Sequence, residues 1–215
     1  MTMGMRRGMM MAGALVLVAT VAWAGDQARD ILDKVSDRYD AIKDGELRFS
    51  QKTGFAVAQV EQEVTGTLVF KKTNKYRVEY DGQVIVTDGK TVWSYSPSTN
   101  QVLVDNFKLN ERSITPERIL GEAPDTYAPT LIGREKIGTI ETVVLKLTPP
   151  EGSGSLKSMK IWVQEGEWLI RRAELLDLHG KKTTYQVHSI KTNTGVPDAR
   201  FTFQAPAGAE IVDLR

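Results

Sequence analysis

From Val60 to Tyr80 the chain alternates apolar and polar side chains with a period of two. Val60, Val64, Leu68 and Phe70 fall on one side with Gly66, while Glu61, Glu63, Thr65, Thr67 and Lys71 fall on the other. After a polar turn, Tyr76, Val78 and Tyr80 continue the apolar side against Arg77 and Glu79. Period two is the geometry of a β-strand, so this stretch predicts a hairpin with one greasy face. Further strand candidates follow at intervals of roughly ten residues, the spacing of antiparallel hairpins. They are QVIVT, TVWSYS, QVLVDNF, PTLIGREKI, ETVVLKLT, LKSMKIWVQ, WLIRRAELLDL and TTYQVHSIKT. Asp81-Gly82, Asp88-Gly89 and Pro97-Ser98 supply turns between them. Each strand offers a row of large apolar residues that must be covered. A second sheet, closure into a barrel, or a curved sheet partly closed by helices around a space would each do so, and the pattern leaves all three open.

Helical periodicity is confined to two places. Over Asp26 to Lys43, the residues Ala28, Ile31, Leu32, Val35, Tyr39 and Ile42 recur at spacings of three and four, which predicts an amphipathic helix. Gly45 is expected to stop it as a left-handed cap. In ITPERILGE, Thr115 is an N-cap candidate and Pro116 suits the first helical position, so a short second helix is expected there. A last apolar pair, Phe201 and Phe203, lies in ARFTFQAP.

The N-terminus predicts the compartment. Arg6 and Arg7 precede an apolar run from Met9 to Val21 and the small-residue site Ala22-Trp23-Ala24. This is the pattern of a secretory signal peptide, with cleavage expected after Ala24. The apolar run is shorter than the roughly 20 residues of a spanning helix. Residues 25–215 are then expected to form a single exported domain. Gly25 follows the site and the chain holds no cysteine, so neither N-terminal lipidation nor a disulfide is available. Loss of Arg6 and Arg7 turns a net charge of +1 slightly negative, which gives no footing for a nucleic-acid partner.

No motif points to catalysis. His179 and His188 match no metal-pair spacing, and the expected role for both is solvation or a local hydrogen bond. Gly152-Ser153-Gly154-Ser155 lacks the spacing of a nucleophile elbow and reads as a hairpin tip. Carboxylates sit on the polar phase of strands, where solubility explains them. Catalytic residues, metal ligands and cofactors are therefore all expected to be none. Tyr76, Tyr80, Trp93 and Tyr95 recur at period two and read as core, or as the mouth of a partly hydrated cavity, since a buried tyrosine hydroxyl without a partner costs about 1–3 kcal/mol.

Phe49-Ser50-Gln51, KKTNKYRVEY, TDGKTVWSYSP, TPERILGE and FTFQAPAGAEIVD, behind a signal peptide and an amphipathic first helix, occur in an order that resembles the LolA family of periplasmic lipoprotein carriers. The resemblance spans essentially the whole exported part. It implies an unclosed, strongly curved antiparallel β-barrel, here of about 10–11 strands, with a helical lid around an apolar cavity. It implies triacylated lipoproteins as cargo, an inner-membrane ABC-type lipoprotein exporter as donor and an outer-membrane lipoprotein receptor as acceptor. A monomer is expected. On this footing Leu68, Phe70, Tyr76, Val78, Tyr80, Trp93, Met159 and Ile161 are expected to line the cavity, with Ile31, Leu32, Val35, Ile119 and Leu120 in the lid.

Two positions depart from the family pattern. Where relatives carry Arg-Pro after the second strand, with the arginine latching the lid, this chain has Lys72-Thr73. Lysine keeps the charge but lacks the planar five-donor fork, so a different or weaker latch is expected. Val78 stands where the family tends to have tryptophan, leaving more room inside. The competing reading is a lipid- or lipoprotein-sensing module on the same scaffold, or a lipid transporter.

Overall fold

The computed structural model describes residues 19–55, 61–72, 74–108, 127–152 and 154–215. It opens with one α-helix, α1 (Ala19–Asp40). Eleven strands follow: β1 (Asp44–Phe55), β2 (Glu61–Lys71), β3 (Lys75–Tyr80), β4 (Gln83–Asp88), β5 (Thr91–Ser96), β6 (Gln101–Asn106), β7 (Ala128–Ile137), β8 (Ile140–Thr148), β9 (Leu156–Gln164), β10 (Ile170–Asp177) and β11 (Lys181–Thr192). A 3-10 turn, η1 (Asp198–Phe201), precedes β12 (Glu210–Asp213). All twelve strands join one sheet in the order β12-β6-β5-β4-β3-β2-β1-β11-β10-β9-β8-β7. β12 runs parallel to β6 and the other neighbours are antiparallel. β12 and β7 do not pair, so this mainly β molecule is a curved sheet left open.

The expected strands form, and the period-two argument explains why. Directly paired residues share a face, so the register sorts every strand into two sets. Leu47, Leu68, Val78 and Ile85 make one cross-strand row. This face also carries α1 and is the inner one. Ala28, Ile31, Leu32 and Val35 of the helix pack on Val143, Leu145, Leu147, Met159, Ile161, Val163, Ile170 and Ala173, so α1 fills the inner face of β8–β10. A second cluster, Ile42, Leu47, Leu68, Phe70, Tyr76 and Leu169, continues this lining, and Tyr39 touches both.

One expectation is corrected, and two features go beyond the pattern. Gly45 lies within β1 rather than capping the helix, which ends at Asp40. A Cβ on Gly45 would stand 2.7 Å from the Lys191 carbonyl oxygen and 2.8 Å from the Phe70 ring, so its smallness serves close approach across the sheet. Phe201 sits in η1 and is 1% exposed, packed with Val69 and Val196 on the outer face. β12 is a strand that the pattern does not announce, because four residues are too few to show a period. The expected second helix, with Ile119 and Leu120, lies outside the described residues, as does Thr73.

Candidate functional site

The inner face of β2–β6 is an apolar trough. Its central row runs Ile190, Leu47, Leu68, Val78, Ile85, Ser94 and Leu103 across seven strands. Leu47 and Leu68 are buried, Val78 and Ile85 half-buried, and Leu103 is 40% exposed. Exposure thus grows along the row toward the β6 side, and the apolar surface there is not fully covered. Beside it, Phe70, Tyr76, Thr87 and Val92 form a parallel row, with Phe107 edge-on to Tyr76 at 6.3 Å between ring centroids. Burial of apolar area is worth about 25 cal/mol per Å², so an uncovered inward leucine is a standing attraction for an apolar ligand.

Of the residues singled out from the sequence, Leu68, Phe70, Tyr76, Val78 and Tyr80 fall on this face of β2 and β3. Met159 and Ile161 are also inward, but beneath α1 with Ile31, Leu32 and Val35. Trp93 is not inward. It pairs with Val86 and Val104, and through Val86 and Arg77 it belongs with Val69 on the outer face. Tyr95 shares that side and lies 6.5 Å from the Phe203 ring. Aromatic size points to the wrong phase; Val92 and Ser94 are the inward residues of β5. Ile85, Val92 and Leu103 are the lining residues that sequence reasoning missed. Counting through the two-residue Asp81-Gly82 turn pairs Tyr80 with Gln83 and Val78 with Ile85, which is the signal that finds them.

Lys72 meets the end of α1. Its Nζ donates to the Asp40 carbonyl oxygen and stands 4.0 Å from the Asp40 carboxylate. A cation at the last carbonyl of a helix complements the macrodipole. Its side chain is 45% exposed and that of Asp40 83%, so solvent screens the contact and its worth is under about 1 kcal/mol. α1 is also held by Arg29 Nη2 donating to the Tyr127 carbonyl at 3.1 Å and Arg38 Nη2 donating to Thr192 Oγ1 at 3.2 Å. Beneath it, the Tyr39 hydroxyl accepts the Ile170 N–H at 3.2 Å, and burial pushes its pKa up to about 12.

The outer face is polar where it is not covered. A cavity of about 630 Å³ opens beside the β3–β4 turn, lined by the outward row Arg48, Thr67, Glu79 and Val84 with Thr65 and His188 next to it, and by the inward row Phe49, Gly66, Tyr80 and Gln83. His188 Nε2 lies 3.0 Å from Ser50 Oγ, a local hydrogen bond, and among the described residues no carboxylate completes a triad with them. Among the described residues, too, no three His, Cys, Asp or Glu side chains gather to hold a metal ion. No described helix is long and apolar enough to cross a membrane.

Known proteins match this arrangement. A relative from Pseudomonas putida strain GB-1, an outer-membrane lipoprotein carrier protein, is 29% identical over 210 residues, covering 95% of this chain and 97% of that one. A protein of the same description from Leptothrix cholodnii is 26% identical over 215 residues, 99% of each chain. Among solved structures, an uncharacterized conserved protein from Thermus thermophilus superposes with a TM-score of 0.58 at 18% identity, over 87% of this chain and 99% of that one. LprF from Mycobacterium bovis does so with 0.52 at 14%, over 84% and 98%. These two show the shared fold. The family described as "Outer membrane lipoprotein carrier protein LolA" matches residues 41–204, and the chain belongs to it.

Proposed function

We propose that the protein is a periplasmic lipoprotein carrier, which takes the acyl chains of lipoproteins into its inner face and shuttles them from an inner-membrane ABC-type exporter to an outer-membrane receptor. The observation that carries this reading is the inward apolar row that runs to the 40%-exposed Leu103 in a member of the lipoprotein carrier family. The physical need is plain: each methylene left in water costs about 0.8 kcal/mol, and three acyl chains hold roughly forty or more. Such a protein works by binding and release, with no turnover of its cargo and no cofactor.

Leu68, Phe70, Tyr76, Val78 and Tyr80 would line the receiving surface. α1, through Ile31, Leu32 and Val35, would act as the lid that occupies the β8–β10 half of the inner face, over Met159 and Ile161, until a chain enters. Ile119 and Leu120 would join that lid, and Lys72 would steady its α1 end. Cleavage after Ala24 would release residues 25–215 as a single-domain monomer into the periplasm. Lipoprotein release from spheroplasts tests the proposal. Purified protein spanning residues 25–215 should carry lipoprotein into the supernatant in roughly equal molar amounts. Leu68→Glu and the more exposed Leu103→Glu should abolish this, with circular dichroism confirming that at least the latter stays folded. Normal extraction by both folded variants would place the cargo elsewhere.

A further inference from the structure

Among the described residues, five that are not glycine hold a positive φ. Four are Asn74, Asp81, Asn100 and Asn193, whose short polar side chains tolerate the left-handed conformation. The fifth is Trp168, at φ 54° in the turn between β9 and β10. So bulky a side chain is disfavoured there and persists only where its surroundings hold it. The turn itself asks for nothing that asparagine could not supply. Its backbone bonds, Gln164 N–H to the Leu169 carbonyl at 2.9 Å and Trp168 N–H to the Gln164 carbonyl at 3.0 Å, use no side chain.

What the ring reaches is α1. Lys34 Nζ stands over it, 4.9 Å from the centroid, and the half-buried ring packs against the cluster that α1 forms with β8–β10. The two residues that follow also engage the helix. Leu169 packs with Ile42, just past the helix end, in a cluster that Tyr39 touches, and the Ile170 N–H donates to the Tyr39 hydroxyl. Three consecutive residues thus grip α1, and the first of them is strained. We propose that Trp168 is the positioning residue of the lid, a clasp that holds α1 over the inner face while its own backbone is strained. The inference rests on the carrier reading and adds regulation to that site. When cargo displaces α1 the ring loses its partner, so the backbone is free to leave the left-handed conformation. Strain therefore subtracts from the grip and favours release.

The test follows uptake of a synthetic triacylated cysteinyl peptide by the wild type, Trp168→Asn and Lys34→Met, in equilibrium and stopped-flow titrations. Asparagine keeps the turn and removes the ring; methionine removes only the cation, from an exposed helix position. A loosened clasp raises the fraction of molecules able to bind, and the apparent affinity with it. Trp168→Asn should bind about fivefold more tightly and associate faster, and Lys34→Met should do so by about twofold. A ring that serves the turn alone predicts a lower urea midpoint with unchanged or weaker uptake, and that result would overturn the clasp. If circular dichroism shows Trp168→Asn unfolded, Lys34→Met decides: faster association supports the clasp, and a rate equal to wild type overturns it. Either failure leaves the carrier reading standing, whereas a wild-type protein that takes up no lipopeptide would remove that reading and the clasp with it.

Discussion

A methyl group added at Gly66 would stand 2.5 Å from the Glu79 carbonyl oxygen and 3.0 Å from the Phe49 ring. The first of these is backbone and cannot swing aside as the Phe49 ring could, so Gly66→Ala must push strands apart. Overpacking of this kind costs about 1–3 kcal/mol, and urea unfolding should show a loss in that range. Tyr39 makes a prediction about pH. Its pKa is about 12 folded against 10.0 for an ordinary tyrosine, because burial disfavours the phenolate. The unfolded chain therefore sheds its proton first, and stability that is intact below pH 10 falls as pH rises toward 12. The two-unit difference corresponds to about 2–3 kcal/mol. Urea titrations between about pH 9 and 12 should show a shallower decline for Tyr39→Phe; equal slopes would mean the phenol is not buried in solution. The residue scale is also where the sequence misleads, at Trp93. A tryptophan at period two with Tyr95 looks inward by size, yet register through the turns overrides size. The outer face has cover on this side because the C-terminal segment lays Phe203 beside Tyr95 and Phe201 on Val69.

That segment is the element whose role periodicity could not show. η1 is joined to the sheet by Asp198, which receives Lys71 Nζ at 2.6 Å and Lys75 Nζ at 3.0 Å, and these two lysines hold its carboxyl below the usual carboxylate range. The ion pairs lie at the exposed surface while Phe201 is buried, so apolar packing should dominate the attachment. Phe201→Ala should cost about 3–5 kcal/mol, whereas Asp198→Ala should leave the urea midpoint nearly unmoved. The reverse order would mean that charge, rather than packing, clasps the segment. α1 was legible because Ala28, Ile31, Leu32 and Val35 form an unbroken stripe. β10 was legible as a strand but its facing was not, since both sides of Leu169-Ile170-Arg171-Arg172-Ala173 look alike until a register shift between Ile170 and Arg172 turns Ile170 and Ala173 inward together.

For the whole molecule, the antiparallel strands and their apolar rows were foreshadowed by period and spacing, while the choice among sandwich, closed barrel and open curve required the family likeness and then the topology. The two halves of the inner face differ: α1 fills one, and in the other Leu103 stays 40% exposed. On the proposed carrier function a lid should be held weakly, and the solvent-exposed Lys72 contact at the end of α1 would suit that. Lys72→Met should change stability by under about 1 kcal/mol and tighten uptake of an acyl probe by no more than a few fold, read by fluorescence titration.

The most direct measurement asks which face of the sheet an acyl chain touches. Leu103 and Trp93 lie on neighbouring strands and opposite faces, so tryptophan fluorescence can report each separately. One variant keeps Trp93 alone; the other replaces every native tryptophan by phenylalanine and carries Leu103→Trp. Loaded with a lipopeptide whose acyl chains bear bromine, a contact-range quencher, the position 103 reporter should be strongly quenched and Trp93 hardly at all. Quenching of Trp93 with position 103 unaffected would put the cargo on the outer face and contradict the carrier account at its centre.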